Sequence, residues 1–124
     1  MQKILIIEDD PYVQRMYKRL FSHEKYNVEM ASSGEEGLKL AVSSNPALIL
    51  LDIMLPGMNG LQVLEKLKNG KKTQDIPVLM LTNLGDEHMI DQANKLGASS
   101  YMVKADFTPS QVLAEVDRLV NIST

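Results

Sequence analysis

Three acidic residues in succession, Glu8-Asp9-Asp10, follow the apolar run Lys3–Ile7, and a fourth, Asp52, closes the run Ala47–Leu51. Like charges brought together raise one another's pKa or require a cation. Carboxylate oxygens with no histidine or cysteine among them select a hard ion, and a small site favours octahedral Mg²⁺ over Ca²⁺. Two further runs end in different chemistry. Thr82 follows Leu81 with a hydroxyl, and Tyr101-Met102-Val103-Lys104 brings a phenol ring and an ammonium group. A carboxylate, a divalent-cation cage, a hydroxyl and a lysine at one point suit phosphoryl transfer. Asp52 would be the nucleophile, and the cation and Lys104 would neutralise the transferring oxygens. Each residue alone has a plainer reading: a threonine at a strand end is more often a helix cap, and a lysine is usually a solvated charge. The plainer reading of Glu8, Asp9 and Asp10 is that they cap a helix and interact with its dipole; it suits Asp10, but for Glu8 and Asp9 it gives way because Asp52 falls beside them. Asp10-Pro11 does read as an N-cap with proline at the first helical position.

The chemistry therefore depends on what positions these run ends. Five apolar runs, Lys3–Ile7, Tyr26–Met30, Ala47–Leu51, Pro77–Leu81 and Ser99–Val103, alternate with five helical patterns. Ala-Leu-Ile-Leu-Leu and Val-Leu-Met-Leu lack alternation, as expected of central parallel strands buried on both faces. Tyr26, Val28 and Met30 alternate with polar residues, which suits an edge strand. In the first helix Val13, Met16, Tyr17, Leu20 and Phe21 share a face. Ser32-x-x-Glu35 and Ser33-x-x-Glu36 offer overlapping capping boxes for the second. Leu61, Leu64 and Leu67 mark the third; Met89, Ile90, Ala93 and Leu96 mark the fourth. Thr108-Pro109 opens the fifth, ahead of Val112, Leu113, Val116, Leu119 and Val120. Strict β-α alternation with short connections predicts a parallel sheet with right-handed crossovers. The expected architecture is a flavodoxin-like (βα)5 three-layer sandwich, strand order 2-1-3-4-5. Its ligand crevice lies beyond the C-terminal ends of strands one and three. That crevice is where Glu8, Asp9 and Asp52 end.

A chain of 124 residues is long enough for one core burying roughly 65–70% of its unfolded surface, so residues 1–124 read as a single domain. No cysteine is present, which excludes a disulfide framework or thiolate metal site. The net charge of −3 gives no support to direct nucleic-acid binding. No apolar run approaches roughly 18 residues and the opening is not a signal peptide, so the expectation is a cytoplasmic protein with no membrane contact.

Ile4-Leu5-Ile6-Ile7-Glu8-Asp9-Asp10 and Leu50-Leu51-Asp52-Ile53-Met54-Leu55-Pro56-Gly57-Met58-Asn59-Gly60 resemble the first strand and the phosphorylation motif of response-regulator receiver domains. These serve two-component signalling and bacterial chemotaxis, and the resemblance covers essentially the whole chain. It implies that Asp52 is the phosphoacceptor and that Glu8, Asp9, Asp52 and the backbone carbonyl of Met54 hold Mg²⁺. Thr82 would be the switch hydroxyl, Tyr101 the aromatic that changes rotamer with it, and Lys104 the phosphoryl-binding cation. The implied partner is a histidine kinase or histidine phosphotransfer protein, with a downstream protein target and a monomer or phosphorylation-dependent dimer. On this reading the chain is no enzyme beyond its own phosphorylation and dephosphorylation, and no effector domain is expected within it. Two positions depart from the pattern. Asn83 stands where the family usually has a very small residue, with a side chain long enough to narrow access to Asp52 or to offer a donor. Ala105 stands where the family usually has a proline preceded by a cis bond. Cis costs about 0.5–1 kcal/mol before proline and about 2.5–4 kcal/mol before alanine, so a trans bond is expected here.

Other readings are weaker. A flavodoxin would need uncharged donors where Glu8-Asp9-Asp10 would repel a flavin phosphate. A phosphohydrolase of the Asp-x-Asp type would need an acid where Met54 stands. A degenerate receiver, binding partners without phosphorylation, would not keep all the functional positions filled. No glycine-rich phosphate signature occurs. His23 and His88 read as surface helix residues, and Met16, Met80 and Met102 as core. Met54, Met58 and Met89 read as bordering the site or the signalling face. The Lys68-to-Lys72 stretch reads as a solvated loop.

Overall fold

A computed structural model describes residues 2–23 and 26–122. In chain order the elements are β1 (Gln2–Ile7), α1 (Pro11–Ser22), β2 (Tyr26–Ala31), α2 (Gly34–Ser44), β3 (Leu48–Leu51), α3 (Gly60–Asn69), β4 (Val78–Thr82), α4 (Glu87–Lys95), β5 (Ser100–Val103) and α5 (Pro109–Ile122). A 3₁₀ turn over Lys104–Asp106 lies between β5 and α5. The sheet is wholly parallel in the order β2-β1-β3-β4-β5, as the alternation predicts. The fold class is therefore flavodoxin-like α/β. β2 is an edge strand, in keeping with its alternating sequence.

Successive strand residues face opposite sides, and the core divides accordingly. Leu5, Ile7, Ile49, Leu51, Val78 and Met80 pack with Ala41 of α2, Val63, Leu64 and Leu67 of α3, and Ala93 of α4. Ile4, Ile6, Leu48, Leu50, Leu79 and Leu81 pack with Tyr17 and Phe21 of α1 and Val112, Val116, Leu119 and Val120 of α5. Helices thus cover both faces, which explains the unbroken apolar runs of β3 and β4. Tyr26, where β2 starts, packs edge-on against Phe21 and donates its hydroxyl to Asp117 of α5.

Helix starts follow the sequence signals. The Asp10 side chain caps α1 by accepting from Tyr12 N. Ser33, not Ser32, caps α2, while the Glu36 carboxylate accepts from Ser32 N, so both serines of the overlapping signal are engaged. Asn59 and Gln62 close a reciprocal capping box on α3, and Thr108 and Gln111 exchange the equivalent bonds at α5.

Two expectations are corrected. Met16 is not core: it is 43% exposed. The inward stripe of α1 runs through Val13, Tyr17, Leu20 and Phe21, and Met16 lies about 100° round the helix from Tyr17. Met80 and Met102 are buried as expected. Nor is the whole Lys68–Lys72 stretch solvated. Lys71 and Lys72 are exposed, but Lys68 Nζ donates to the carbonyls of Gln74 at 3.2 Å and Ile76 at 2.9 Å. Buried Thr73 reinforces the loop by donating its hydroxyl to Leu67 O at 2.6 Å. Partial burial pushes the Lys68 ammonium below its ordinary pKa, offset in part by Asp75. His23 and His88 are exposed. Among the described residues, no helix is long and apolar enough to cross a membrane.

Candidate acidic site at the sheet edge

The reversal of strand order between β1 and β3 opens a crevice at their C-terminal ends. Backbone bonds extend the ladder one residue past each strand. Asp52 N donates to Ile7 O at 3.1 Å, and Glu8 N donates to Ala31 O at 2.9 Å. Glu8 and Asp52 are thereby held side by side and buried, whereas Asp9 is exposed at the rim. Behind Asp52 the chain turns sharply into α3, and Gly60 N donates to Ile53 O at 2.9 Å. Only a residue without a side chain fits there, because a Cβ at Gly60 would stand 2.1 Å from the Asp52 carbonyl oxygen.

Lys104 enters from the far side of the sheet. Its Nζ lies 2.6 Å from Glu8 Oε1 and 3.1 Å from Asp52 Oδ2. The other carboxylate oxygens are also occupied: Asp10 N donates to Glu8 Oε2, and Met54 N to Asp52 Oδ1, each at 3.1 Å. Burial pushes the Glu8 carboxyl above its ordinary value, against the pull of the Lys104 bond and the Asp10 N–H. Burial also acts to lower the Lys104 ammonium, but the Glu8 bond and the Asp52 and Glu8 charges outweigh it and hold Lys104 above its ordinary value.

One carboxylate oxygen each from Glu8, Asp9 and Asp52 lie within 4.8 Å of one another. With Lys104 the only cation contacting them among the described residues, three ionised carboxylates leave two negative charges uncompensated. An all-oxygen set with that charge fits a hard divalent ion such as Mg²⁺.

Thr82 ends β4 fully buried, its Oγ accepting from Leu84 N at 3.4 Å. Tyr101 on β5 donates its hydroxyl to Leu84 O. Leu84 is thus held at its N–H by the hydroxyl of Thr82 and at its carbonyl by Tyr101. Burial raises the Tyr101 phenol above its ordinary pKa, helped by the nearby Asp86 and Asp52 charges. Asn83 and Ala105 are exposed; the Lys104–Ala105 bond is trans, since no cis peptide occurs among the described residues.

The site residues expected from sequence are therefore gathered as follows. Glu8, Asp9, Asp52 and Lys104 form one cluster, which Met54 joins through its backbone N–H. Thr82 and Tyr101 meet at Leu84. Sequence reasoning missed Leu84 as that meeting point, and it missed Gln14, whose side-chain amide donates to Glu8 O and to Ser32 Oγ. Neither carries a signal in residue type: Leu84 is engaged through its own N–H and carbonyl, and Gln14 finds its partners, the Glu8 carbonyl and the Ser32 hydroxyl, only once α1 has packed beside β1 and β2. Gly60 was quoted in the motif, but its closeness to Asp52 needs the fold.

The family model described as response regulator receiver domain matches residues 4–117. The transcriptional regulatory protein SrrA of Staphylococcus aureus is 39% identical over 118 residues, covering 95% of this chain and 47% of SrrA. The chain thus spans about half the length of the curated relatives it matches. Among solved structures, a CheY-like response regulator receiver domain protein from Methanospirillum hungatei superposes with a TM-score of 0.92 at 27% identity, covering 99% of this chain and 96% of that one. The BeF3-activated N-terminal receiver domain of Klebsiella pneumoniae RstA superposes with a TM-score of 0.87 at 28% identity, covering 95% and 97%.

Proposed function

The chain belongs to the response regulator receiver domain family, the signalling domains of two-component systems, and from that premise we propose that it accepts a phosphoryl group on Asp52. The donor is the phosphohistidine of a kinase or phosphotransfer protein, or a small phosphodonor. A carboxylate oxygen of Asp52 attacks phosphorus, the bond from phosphorus to the donor's leaving atom (the imidazole nitrogen in phosphohistidine) breaks with its electron pair going to that atom, and an acyl phosphate remains. The observation that carries this reading is the buried Asp52 carboxylate held between Lys104 Nζ and the Met54 N–H, beside Glu8 and Asp9.

Glu8, Asp9, Asp52 and the Met54 carbonyl would hold Mg²⁺, which when bound supplies positive charge to the transferring oxygens. Lys104 does part of the same work. Its ammonium, already aimed at Asp52, exchanges carboxylate contacts for phosphoryl oxygens as these arrive. Incubating the protein with a small phosphodonor should add one phosphoryl group by intact mass in the presence of Mg²⁺ and none after chelation. Equal incorporation with and without the metal would refute this assignment.

The output begins at Thr82. Drawn towards phosphoryl oxygens, its hydroxyl gives up Leu84 N, and the loop that also holds the Tyr101 hydroxyl shifts with it. This is a two-state element biased by a local change of charge. Beryllofluoride on Asp52 stands in for the phosphoryl group. Adding it should move the amide resonances of residues 83–89 and of Tyr101; an unchanged spectrum there rules the switch out. The transcriptional role named for SrrA belongs to a protein about twice this length. For this chain, a net charge of −3 favours protein partners over DNA.

A further inference from the structure

Gln14, in the second turn of α1, has no part in the chemistry described so far, yet its side-chain amide bridges the acidic loop and the residue that follows β2. Its Nε2 donates to the carbonyl of Glu8 and also reaches Ser32 Oγ at 3.2 Å. The N–H of Glu8 is bonded to Ala31 O at 2.9 Å. Glu8 is therefore held on one side by the end of β2 and on the other by Gln14. The carbonyl that Gln14 holds belongs to the peptide joining Glu8 to Asp9, the two neighbouring acids of the cluster. Asp9 is the exposed member, and among the described residues no side-chain hydrogen bond or ion pair holds its carboxylate. The orientation of that carboxylate then depends on the peptide plane before it. Ser32 in turn donates its N–H to Glu36 at 2.7 Å, which ties the clamp to the first turn of α2.

We infer that Gln14 is a positioning residue for the cation: by clamping the Glu8–Asp9 peptide it sets the geometry in which the acidic cluster binds Mg²⁺. The inference rests on the phosphoryl-acceptor reading above. A neutral amide suits the task because it donates a hydrogen bond without altering the two uncompensated negative charges of the cluster. Partners that orient metal ligands commonly contribute 10- to 100-fold in affinity.

The test is Mg²⁺ titration of the wild type, Gln14→Met and Ser32→Ala, followed by the amide resonances of residues 8–10, together with phosphorylation rates across Mg²⁺ concentrations. Methionine keeps length and helix propensity but cannot donate. Gln14→Met should weaken Mg²⁺ binding by about tenfold and slow phosphorylation at low Mg²⁺, with the wild-type rate regained at saturation. A merely structural role would lower the rate at every Mg²⁺ concentration. Ser32→Ala leaves α1 untouched and should shift the affinity in the same direction by less. Wild-type Mg²⁺ affinity in Gln14→Met, or a rate that saturating Mg²⁺ does not restore, overturns the positioning role while leaving Asp52 as acceptor intact. Failure of the wild type itself to bind Mg²⁺ or accept phosphoryl overturns both.

Discussion

Asp52→Asn should leave a folded protein that forms no acyl phosphate. An amide oxygen is a poor nucleophile and a poorer ligand for a divalent ion than a carboxylate. The local geometry adds a second effect. Met54 N donates to Asp52 Oδ1, so the asparagine oxygen keeps that position and its NH₂ replaces Oδ2. That NH₂ would face Lys104 Nζ, which lies 3.1 Å from Oδ2. Two donors cannot bond each other, and Lys104 would retain Glu8 alone. Intact-mass spectra with a small phosphodonor and Mg²⁺ should show a base-labile adduct on the wild type and only background on the variant. Full, base-labile phosphorylation of Asp52→Asn would place the acceptor elsewhere.

Gly60→Ala should have the largest effect on stability of any single methyl addition near the site. At an ordinary helix start, alanine is the better residue by roughly 0.5–1 kcal/mol. Here the added Cβ would lie 2.1 Å from the Asp52 carbonyl oxygen and 2.6 Å from Ile53 Cα. Both are backbone atoms, so no side-chain rotation relieves the overlap. Either α3 retreats and loses the Gly60–Ile53 bond, or the Asp52 backbone moves off β3. Overpacking of this kind costs about 1–3 kcal/mol, a large share of the marginal stability of one domain. Urea unfolding should show the midpoint falling with the slope unchanged, and phosphorylation of the surviving folded fraction should slow. A midpoint equal to or above the wild type would mean that the turn accommodates a side chain.

These two positions differ in how far the sequence alone reaches. Asp52 ends an unbroken apolar run, and in a doubly wound parallel sheet the residue after such a run faces the functional edge. Glu8, Asp9, Thr82 and Lys104 are legible for the same reason. Side-chain period and chain direction are local properties, and five strands pointing the same way carry their last residues to one edge. The parallel sheet follows from the β-α alternation, and the burial of β3 and β4 on both faces and the edge place of β2 follow from equally local signals, the lack of alternation in the first two and its presence in the third.

What only the tertiary structure decided is which of these ends touch, and through which atoms. Lys104 bonds Glu8 across 96 residues and Asp52 across 52, distances over which no periodicity carries information. Leu84 joins the site through its own carbonyl and N–H, and Gln14 through the Glu8 carbonyl, backbone groups that are chemically alike at every position and so leave no trace in residue type of which partner they meet. Met16 lies outside the core because the width of a buried helical stripe is set by the surface it rests on, and Lys68 is tied down because the loop after α3 returns beneath it. Residue types fix what chemistry an edge can hold. Backbone paths meeting in space, each satisfying its own polar groups, determine which side chains are pinned and which remain free to move.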